Sequence, residues 1–203
     1  MLNKISSLKN RTPKILGQEQ AFESAVILPL VYINDRINVL FQKRSSDLMH
    51  QPGEISFPGG KIEPFDSSPM EGAIRETCEE LGLKPSNIEV VAPLDIVVSP
   101  FNVIVYPFVA FIDDVKNVIP NKDEVEEVFY VPLDYLLDNP PAKHKMWLNV
   151  DAQQDFPFEL IPNGKDYPFR KAYIPQLFWI WHEHVIWGLT ARILNHFLSL
   201  LSD

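Results

Sequence analysis

The sequence predicts an α/β fold in which a mixed β-sheet is covered on both faces, built as a single domain. Three observations carry this. Runs at 25–32, 37–43, 88–98 and 103–112 have the length and the apolar or alternating character of strands. A short helix with clear start and stop signals lies between the second and third of them. A segment with helical spacing closes the chain. At 203 residues and 46% hydrophobic content, the chain suits one well-buried core and is short for two.

Taken in order, residues 1–17 hold four basic residues and no acidic one but lack the apolar stretch of a signal peptide, so a loosely ordered arm or short helix is expected, with a transit peptide as the alternative. The first two strands meet at a turn formed by Asn34-Asp35. A loop from Gly53 to Phe65 then leads into the helix. Ser68-Pro69-Met70-Glu71 reads as a capping box with proline at the first helical position, and Gly82 stands where a left-handed C-terminal cap belongs. Ser99-Pro100-Phe101-Asn102 separates the next two strands, Val131-Pro132 starts a short helix through Leu137, and Pro140-Pro141 ends it. The core is thus expected over about 25–137. An insertion-like stretch, 143–173, is rich in aromatics and proline, with a hairpin turn expected at Asn163-Gly164. A lid, a dimer contact and a decorative hairpin are equally open to it. From Gln176 to about 201, Trp179, Glu183, Ile186, Trp187, Thr190, Ile193, Leu194 and Phe197 follow the spacing of a long amphipathic helix.

Composition excludes several classes. A net charge of −9 argues against nucleic-acid binding through a basic surface. The single cysteine, Cys78, allows no internal disulfide and suits a reducing cytoplasm. Its position predicts a small buried side chain and not a nucleophile. No apolar run reaches the ~20 residues of a membrane span. The closing Leu201-Ser202-Asp203 is not the S-K-L peroxisomal signal.

The chemistry concentrates on the capped helix, where Arg75-Glu76-Thr77-Cys78-Glu79-Glu80-Leu81-Gly82 follows Gly59-Gly60. At about 100° per residue, Glu76, Glu79 and Glu80 share one side and Ile74, Thr77, Cys78 and Leu81 take the other as a buried stripe. A row of glutamates is often just a solvated face. Here adjacent anions ~4 Å apart repel by ~4 kcal/mol at a surface dielectric near 20, with only Arg75 to offset them. A divalent cation resolves the repulsion, and oxygen-only ligands select Mg²⁺ or Mn²⁺ over zinc. The cation also reconciles an acidic chain with an anionic substrate.

This stretch resembles the box of the Nudix hydrolases, G-x5-E-x7-R-E-U-x-E-E-x-G-U, with U a bulky apolar residue. From Arg75 to Leu83 only Thr77 departs, being less apolar than U. Upstream, Asp66 stands in place of the first glutamate, and eight residues instead of seven separate it from Arg75. The extra residue is similar to the coenzyme A pyrophosphatase branch. So is the run from Leu40-Phe41-Gln42-Lys43-Arg44-Ser45 to Gly53-Glu54-Ile55-Ser56-Phe57-Pro58-Gly59-Gly60, which resembles that branch's L-L-T-x-R-S-x3-R-x3-G-x3-F-P-G-G signature. Gln42 replaces the threonine and Met49 the second arginine. Ile186-Trp187-Gly188-Leu189-Thr190-Ala191 resembles the branch's I-W-G-x-T-A ending, although core packing alone accounts for it.

The resemblance implies the Nudix α/β/α sandwich and a metal-dependent hydrolase that cleaves the pyrophosphate of coenzyme A or its thioesters. Adenosine 3′,5′-bisphosphate and 4′-phosphopantetheine, or its acyl form, would be the products. It implies Glu76, Glu79, Glu80 and the Gly60 carbonyl as metal ligands, with Glu79 and Arg75 in the catalytic set, Arg75 by orienting the glutamates. For the general base, Glu124 or Glu127 in Asp123-Glu124-Val125-Glu126-Glu127 is the candidate outside the box, against a solvated acidic loop. Lys43 and Arg44 are candidates for phosphate contacts, against surface salt bridges, and Gly59 for substrate binding. The partner expected is a small-molecule nucleotide, not a nucleic acid or membrane, and a homodimer is open. Other activities remain in view: another nucleoside diphosphate derivative such as ADP-ribose or a nucleoside triphosphate, which the absent arginine at Met49 favours, or a catalytically silent sensing module. His182-Glu183-His184 is not a zinc-protease motif, because H-E-x-x-H requires histidine where Val185 stands.

Overall fold

The computed structural model describes residues 5–6, 8–9, 11–113 and 115–202. Contacts divide the chain into two compact units, Met1–Pro132 and Leu133–Asp203. The first is built on an eight-stranded mixed sheet. Strand β1 (Phe22–Ile33) runs through its middle, antiparallel to β2 (Arg36–Arg44) and parallel to β7 (Val103–Ile112). The hairpin between β1 and β2 turns at Asn34 and Asp35, both with positive φ, a conformation these two residue types tolerate well. Two short strands follow, β3 (Ile55–Ser56) on β2 and β4 (Gly59–Lys61) on β1. The expected single strand over 88–98 is two, β5 (Ile88–Pro93) and β6 (Val97–Ser99), both antiparallel to β7. The pairing continues past Pro93 by one bond, from the Leu94 N–H to the Pro107 carbonyl at 2.8 Å, and resumes at Val97. Strand β8 (Val125–Pro132) pairs with β2, so the acidic stretch read as a candidate loop enters the sheet at Val125.

Helix α1 (Pro69–Leu81) packs on this sheet. Ala73, with Ile74 and Cys78, meets Ala25, Ile27, Ile88 and Ala110, while Leu81 meets Val31, Leu40 and Ile112. Small residues at 25, 73 and 110 let helix and sheet approach closely. Elsewhere in the unit, Phe41 stacks on Phe57 and Phe129 at 5.1 and 5.5 Å between ring centroids.

The second unit opens with α2 (Leu133–Asp138), two residues beyond the expected start at Val131 because Val131 and Pro132 still belong to β8. Strands β9 (Ala142–Leu148), β10 (Ala172–Trp181) and β11 (His184–Ile186) form a three-stranded antiparallel sheet. The ends of the insertion-like stretch are therefore paired strands, with Leu148 opposite Ala172. The Asn163-Gly164 turn exists, with Asn163 at φ 65°, but it leads into a 3₁₀ turn over Gly164–Asp166 and joins no hairpin. The closing helix, α3, runs over Gly188–Leu200 and not from Gln176. Residues 172–187 are rich in aromatic and β-branched side chains, contain Pro175, and turn at His182 with φ 53°. Trp179 and Ile186, spaced like two turns of a helix, are cross-strand partners. Among the described residues no helix is long and apolar enough to cross a membrane. The arm expected over 1–17 lies partly outside the described residues; of the rest, 11–15 form no regular element. Asp203 also lies outside them.

Candidate active site

The site begins with how α1 is stopped and started. The Ser68 hydroxyl accepts from the Glu71 N–H at 3.2 Å, and the Glu71 carboxylate accepts from the Ser67 N–H at 2.6 Å. Gly82 adopts φ 65°, returning its N–H to the Cys78 carbonyl, and a Cβ there would strike the Ile119 carbonyl. Thr77, the odd residue of the apolar stripe, is fully buried and satisfies its hydroxyl by donating to the Ala73 carbonyl at 2.7 Å. Burial pushes the Cys78 thiol up, with Glu79 adding to the effect, so this group packs the core as a neutral thiol.

Arg75 is saturated by neighbours on its own side of the site. Its Nε and Nη2 donate to the two Asp66 oxygens, each at 3.1 Å, and Nη2 also donates to the Lys61 carbonyl at 3.1 Å. Nη1 donates to Glu76 at 2.5 Å, and Glu79 lies 3.5 Å away. The Asp66–Arg75 pair shows what Asp66 does where the box has glutamate. The carboxylate receives the guanidinium fork and the Glu63 N–H, which hold it below the usual carboxylate range. Gly72 makes room for it, because a Cβ there would lie 2.9 Å from Asp66 Oδ2. The sequence flags Asp66 only as a departure; its partner becomes visible once the loop is folded.

The three helix glutamates differ sharply in surroundings. Glu79 is 58% exposed in its side chain, and Glu76 is partly buried against Gly60, where any Cβ would collide with its carboxylate. Glu80 is 3% exposed and accepts from the Gly59 N–H at 2.8 Å. Burial lifts the Glu80 carboxyl to about 7, against the pull of Gly59, Gln42 and Arg44, with Glu124 adding to the rise. Burial likewise raises Glu76, opposed by Arg75 and reinforced by Glu79 and Glu124. Both Gly59 and Gly60 are thus required by close approach. Gly59, at φ 141°, also sits so near β1 that a Cβ would run into Ala25 and Val26.

Glu124 reaches this group by a strap that caps the helix. The Ile119 N–H donates to the Leu81 carbonyl and the Asn121 N–H to the Glu80 carbonyl, each at 2.9 Å, before Glu124 joins β2 through its carbonyl to the Ser45 N–H. Glu124 therefore acts on both Glu76 and Glu80, whereas Glu127 is felt by Lys43. Lys43 bonds Glu126 at 2.6 Å and is held above its usual range by that contact. Arg44, the next residue on β2, keeps a buried Nε with no hydrogen-bond partner. Met49 is 92% exposed.

The chain matches the NUDIX domain over residues 22–149. It belongs to the Nudix hydrolase family. Among its relatives, the peroxisomal coenzyme A diphosphatase of Mus musculus is 43% identical over 113 residues, 56% of this chain and 48% of the mouse protein, so the match spans about half of that relative's length. Nudix hydrolase 3 of Caenorhabditis elegans is 30% identical over 207 residues, covering 99% of this chain and 83% of that protein. A MutT/nudix family protein from Enterococcus faecalis superposes with a TM-score of 0.54 at 16% identity, covering 100% of this chain and 70% of that one, which shows a shared fold.

Nudix hydrolases use divalent metals, and the donor set of this Nudix chain fits one. The carboxylates of Glu76, Glu79 and Glu80 and the Gly60 carbonyl would supply oxygen only, the chemistry of a hard cation. Two of these carboxyls are held above their usual range by burial and by mutual repulsion, which a cation would relieve. Among the described residues no three acidic, histidine or cysteine side chains already form a ligand cage.

Proposed function

We propose that this Nudix hydrolase cleaves the pyrophosphate bond of coenzyme A or its thioesters, giving adenosine 3′,5′-bisphosphate and 4′-phosphopantetheine or its acyl form. The observation that carries the reading is the acidic group after Gly59-Gly60, joined to the 43% identity with the mouse coenzyme A diphosphatase. Glu76, Glu79, Glu80 and the Gly60 carbonyl would hold Mg²⁺ or Mn²⁺. Such an ion neutralises phosphoryl oxygens and lowers the pKa of water. Arg75, locked on Asp66, orients Glu76 and stays out of contact with substrate.

Glu124 is the group we assign as general base, since its charge acts on both Glu76 and Glu80. It takes the proton of the attacking water as the new P–O bond forms and the bridging P–O bond breaks. Arg44, whose buried Nε has no hydrogen-bond partner, binds a phosphate oxygen through its guanidinium group. Lys43, already paired with Glu126, contributes less. The family match runs across Pro132, and we read both units as one Nudix domain. The reducing, cytoplasmic setting that we propose is compatible with a free Cys78.

A second substrate class is favoured by one observation: Met49 offers no cation where the branch has its second arginine. ADP-ribose or a nucleoside triphosphate would then be preferred. Product analysis across coenzyme A, ADP-ribose, NADH and nucleoside triphosphates, with Mg²⁺, Mn²⁺ or EDTA, decides. Adenosine 3′,5′-bisphosphate from coenzyme A as the fastest product supports the proposal; faster turnover of another compound overturns it. No metal-dependent turnover of any would leave the sensing module.

A further inference from the structure

Gln42 stands at an unusual place for a glutamine. It lies on β2 two residues after Leu40 and therefore on the same face, the one that packs against α1 through Leu81. Its side chain is wholly buried, at 0% exposure. The amide nitrogen is 3.4 Å from the Ser56 hydroxyl, a weak contact, and the Gln42 side chain pulls the Glu80 carboxyl down against the lift of burial. Together with the Gly59 N–H at 2.8 Å, this makes a two-sided clamp on one carboxylate, one donor from backbone and one from side chain. The amide oxygen, however, is buried with no donor.

A buried acceptor left unpaired costs ~1–3 kcal/mol. A threonine or an apolar residue at this position would avoid that cost. The oxygen belongs to the same amide that acts on Glu80, so an unpaired buried acceptor sits within one side chain's length of that carboxyl.

We infer that Gln42 is a positioning residue for the divalent cation: it fixes the direction of the Glu80 carboxylate through its amide N–H and offers its amide oxygen as an acceptor to the ion's bound water. This rests on the reading of the acidic group as a cation site. The sign of its effect on the metal-free protein separates it from a packing role. A glutamine that merely fills space or ties strands together stabilises the fold with or without metal. One whose oxygen is orphaned until the cation arrives contributes to metal binding and little to the metal-free fold.

The test uses Gln42→Met, which keeps length and volume and removes both polar ends. Mn²⁺ binding to substrate-free protein is measured by the electron paramagnetic resonance of the free ion, and thermal melting is measured in EDTA. The Mn²⁺ dissociation constant should rise ~10-fold or more, the range typical of residues that orient metal ligands. Melting in EDTA should match or exceed the wild type. An unchanged Mn²⁺ constant in folded Gln42→Met overturns the inference, as does a melting temperature in EDTA lowered by many degrees. Should Gln42→Met not fold, Gln42→Asn decides, because it keeps the amide but withdraws it by one methylene: weakened Mn²⁺ binding supports the inference and wild-type binding overturns it. A wild-type protein that binds no Mn²⁺ overturns the cation reading itself, an outcome distinct from those above.

Discussion

Three pairs of like-charged residues lie close together in sequence at the acidic site, Glu80 and Glu79, Glu124 and Glu127, Arg44 and Lys43, and the first of each pair has different partners from the second. The two sets have nearly the same composition, and the structure treats them differently. Glu80 is buried and clamped, while Glu79 is mostly exposed beside Arg75. Arg44 keeps an unpaired buried Nε, while Lys43 is spent on Glu126. Glu124 is felt by the helix carboxylates, while Glu127 is felt by Lys43. Charge in a sequence therefore says little until burial and partners are assigned. A charge in water is screened and replaceable, whereas the same charge in a desolvated cluster costs free energy that only a ligand offsets.

The sharpest way to break this contrast is to neutralise Glu80 and Glu79 separately. Glu80→Gln should lower turnover of coenzyme A ~10²-fold or more while the fold persists, because on the proposed assignment it removes a charged metal ligand from the site that stabilises the transition state. Glu79→Gln should cost less than Glu80→Gln under the same saturating metal. Near-native turnover in folded Glu80→Gln would sink the metal assignment. Steady-state rates with circular dichroism as the folding control are sufficient.

Next comes the base. Glu124→Gln should reduce the rate constant for catalysis by ~10²-fold with little change in KM, as expected when proton abstraction is impaired. Glu127→Gln should stay near wild type. A reversal of this order would move the base onto β8 and discard the strap as its carrier.

For the cations, if Arg44 binds a phosphate as proposed, Arg44→Ala removes a charge-assisted contact of ~1.5–3 kcal/mol and should lower kcat/KM on coenzyme A ~10–150-fold. Lys43→Ala should do much less. Comparing coenzyme A with dephospho-coenzyme A places the contact. A loss confined to the former puts Arg44 at the 3′-phosphate, equal losses put it at the pyrophosphate or in the scaffold, and no loss removes it from the site.

The smallest effect belongs to Cys78, whose thiol faces the apolar side of α1. Cys78→Ala should cost ~1 kcal/mol in denaturant unfolding and leave specific activity nearly intact. Abolished turnover in a stably folded variant would reveal a catalytic thiol.

Much of the first unit was legible because its signals are local. Asn34-Asp35 names its own turn, Ser68-Pro69 and Gly82 delimit α1, and 103–112 matches β7 at both ends. The second unit was harder, since an antiparallel hairpin brings residues such as Trp179 and Ile186 together at a spacing that a helix also satisfies. In the site, the row of glutamates could be read directly, but the ranking of its members could not. That ranking depends on contacts between distant stretches: Gln42 and Gly59 on Glu80, and Asp66 on Arg75. No periodicity encodes such pairs.

The strap from Ile119 to Glu124 has a consequence for how the chain tolerates length changes. Because Ile119 and Asn121 are fastened to the last carbonyls of α1, and Glu124 to Ser45, the reach from helix end to Glu124 is a fixed ruler of a few residues. Upstream of Ile119, Val115 and Val118 pack against the core beside Leu81 and Ile112, so packing limits insertions there beyond the about 0.6 kcal/mol that each doubling of a loop costs. Such an insertion would still leave the span from Ile119 to Glu124 unchanged. One residue added between Asn121 and Glu124 would shift that carboxylate relative to Glu76 and Glu80, and, if Glu124 is the base proposed above, would lower activity without unfolding the chain.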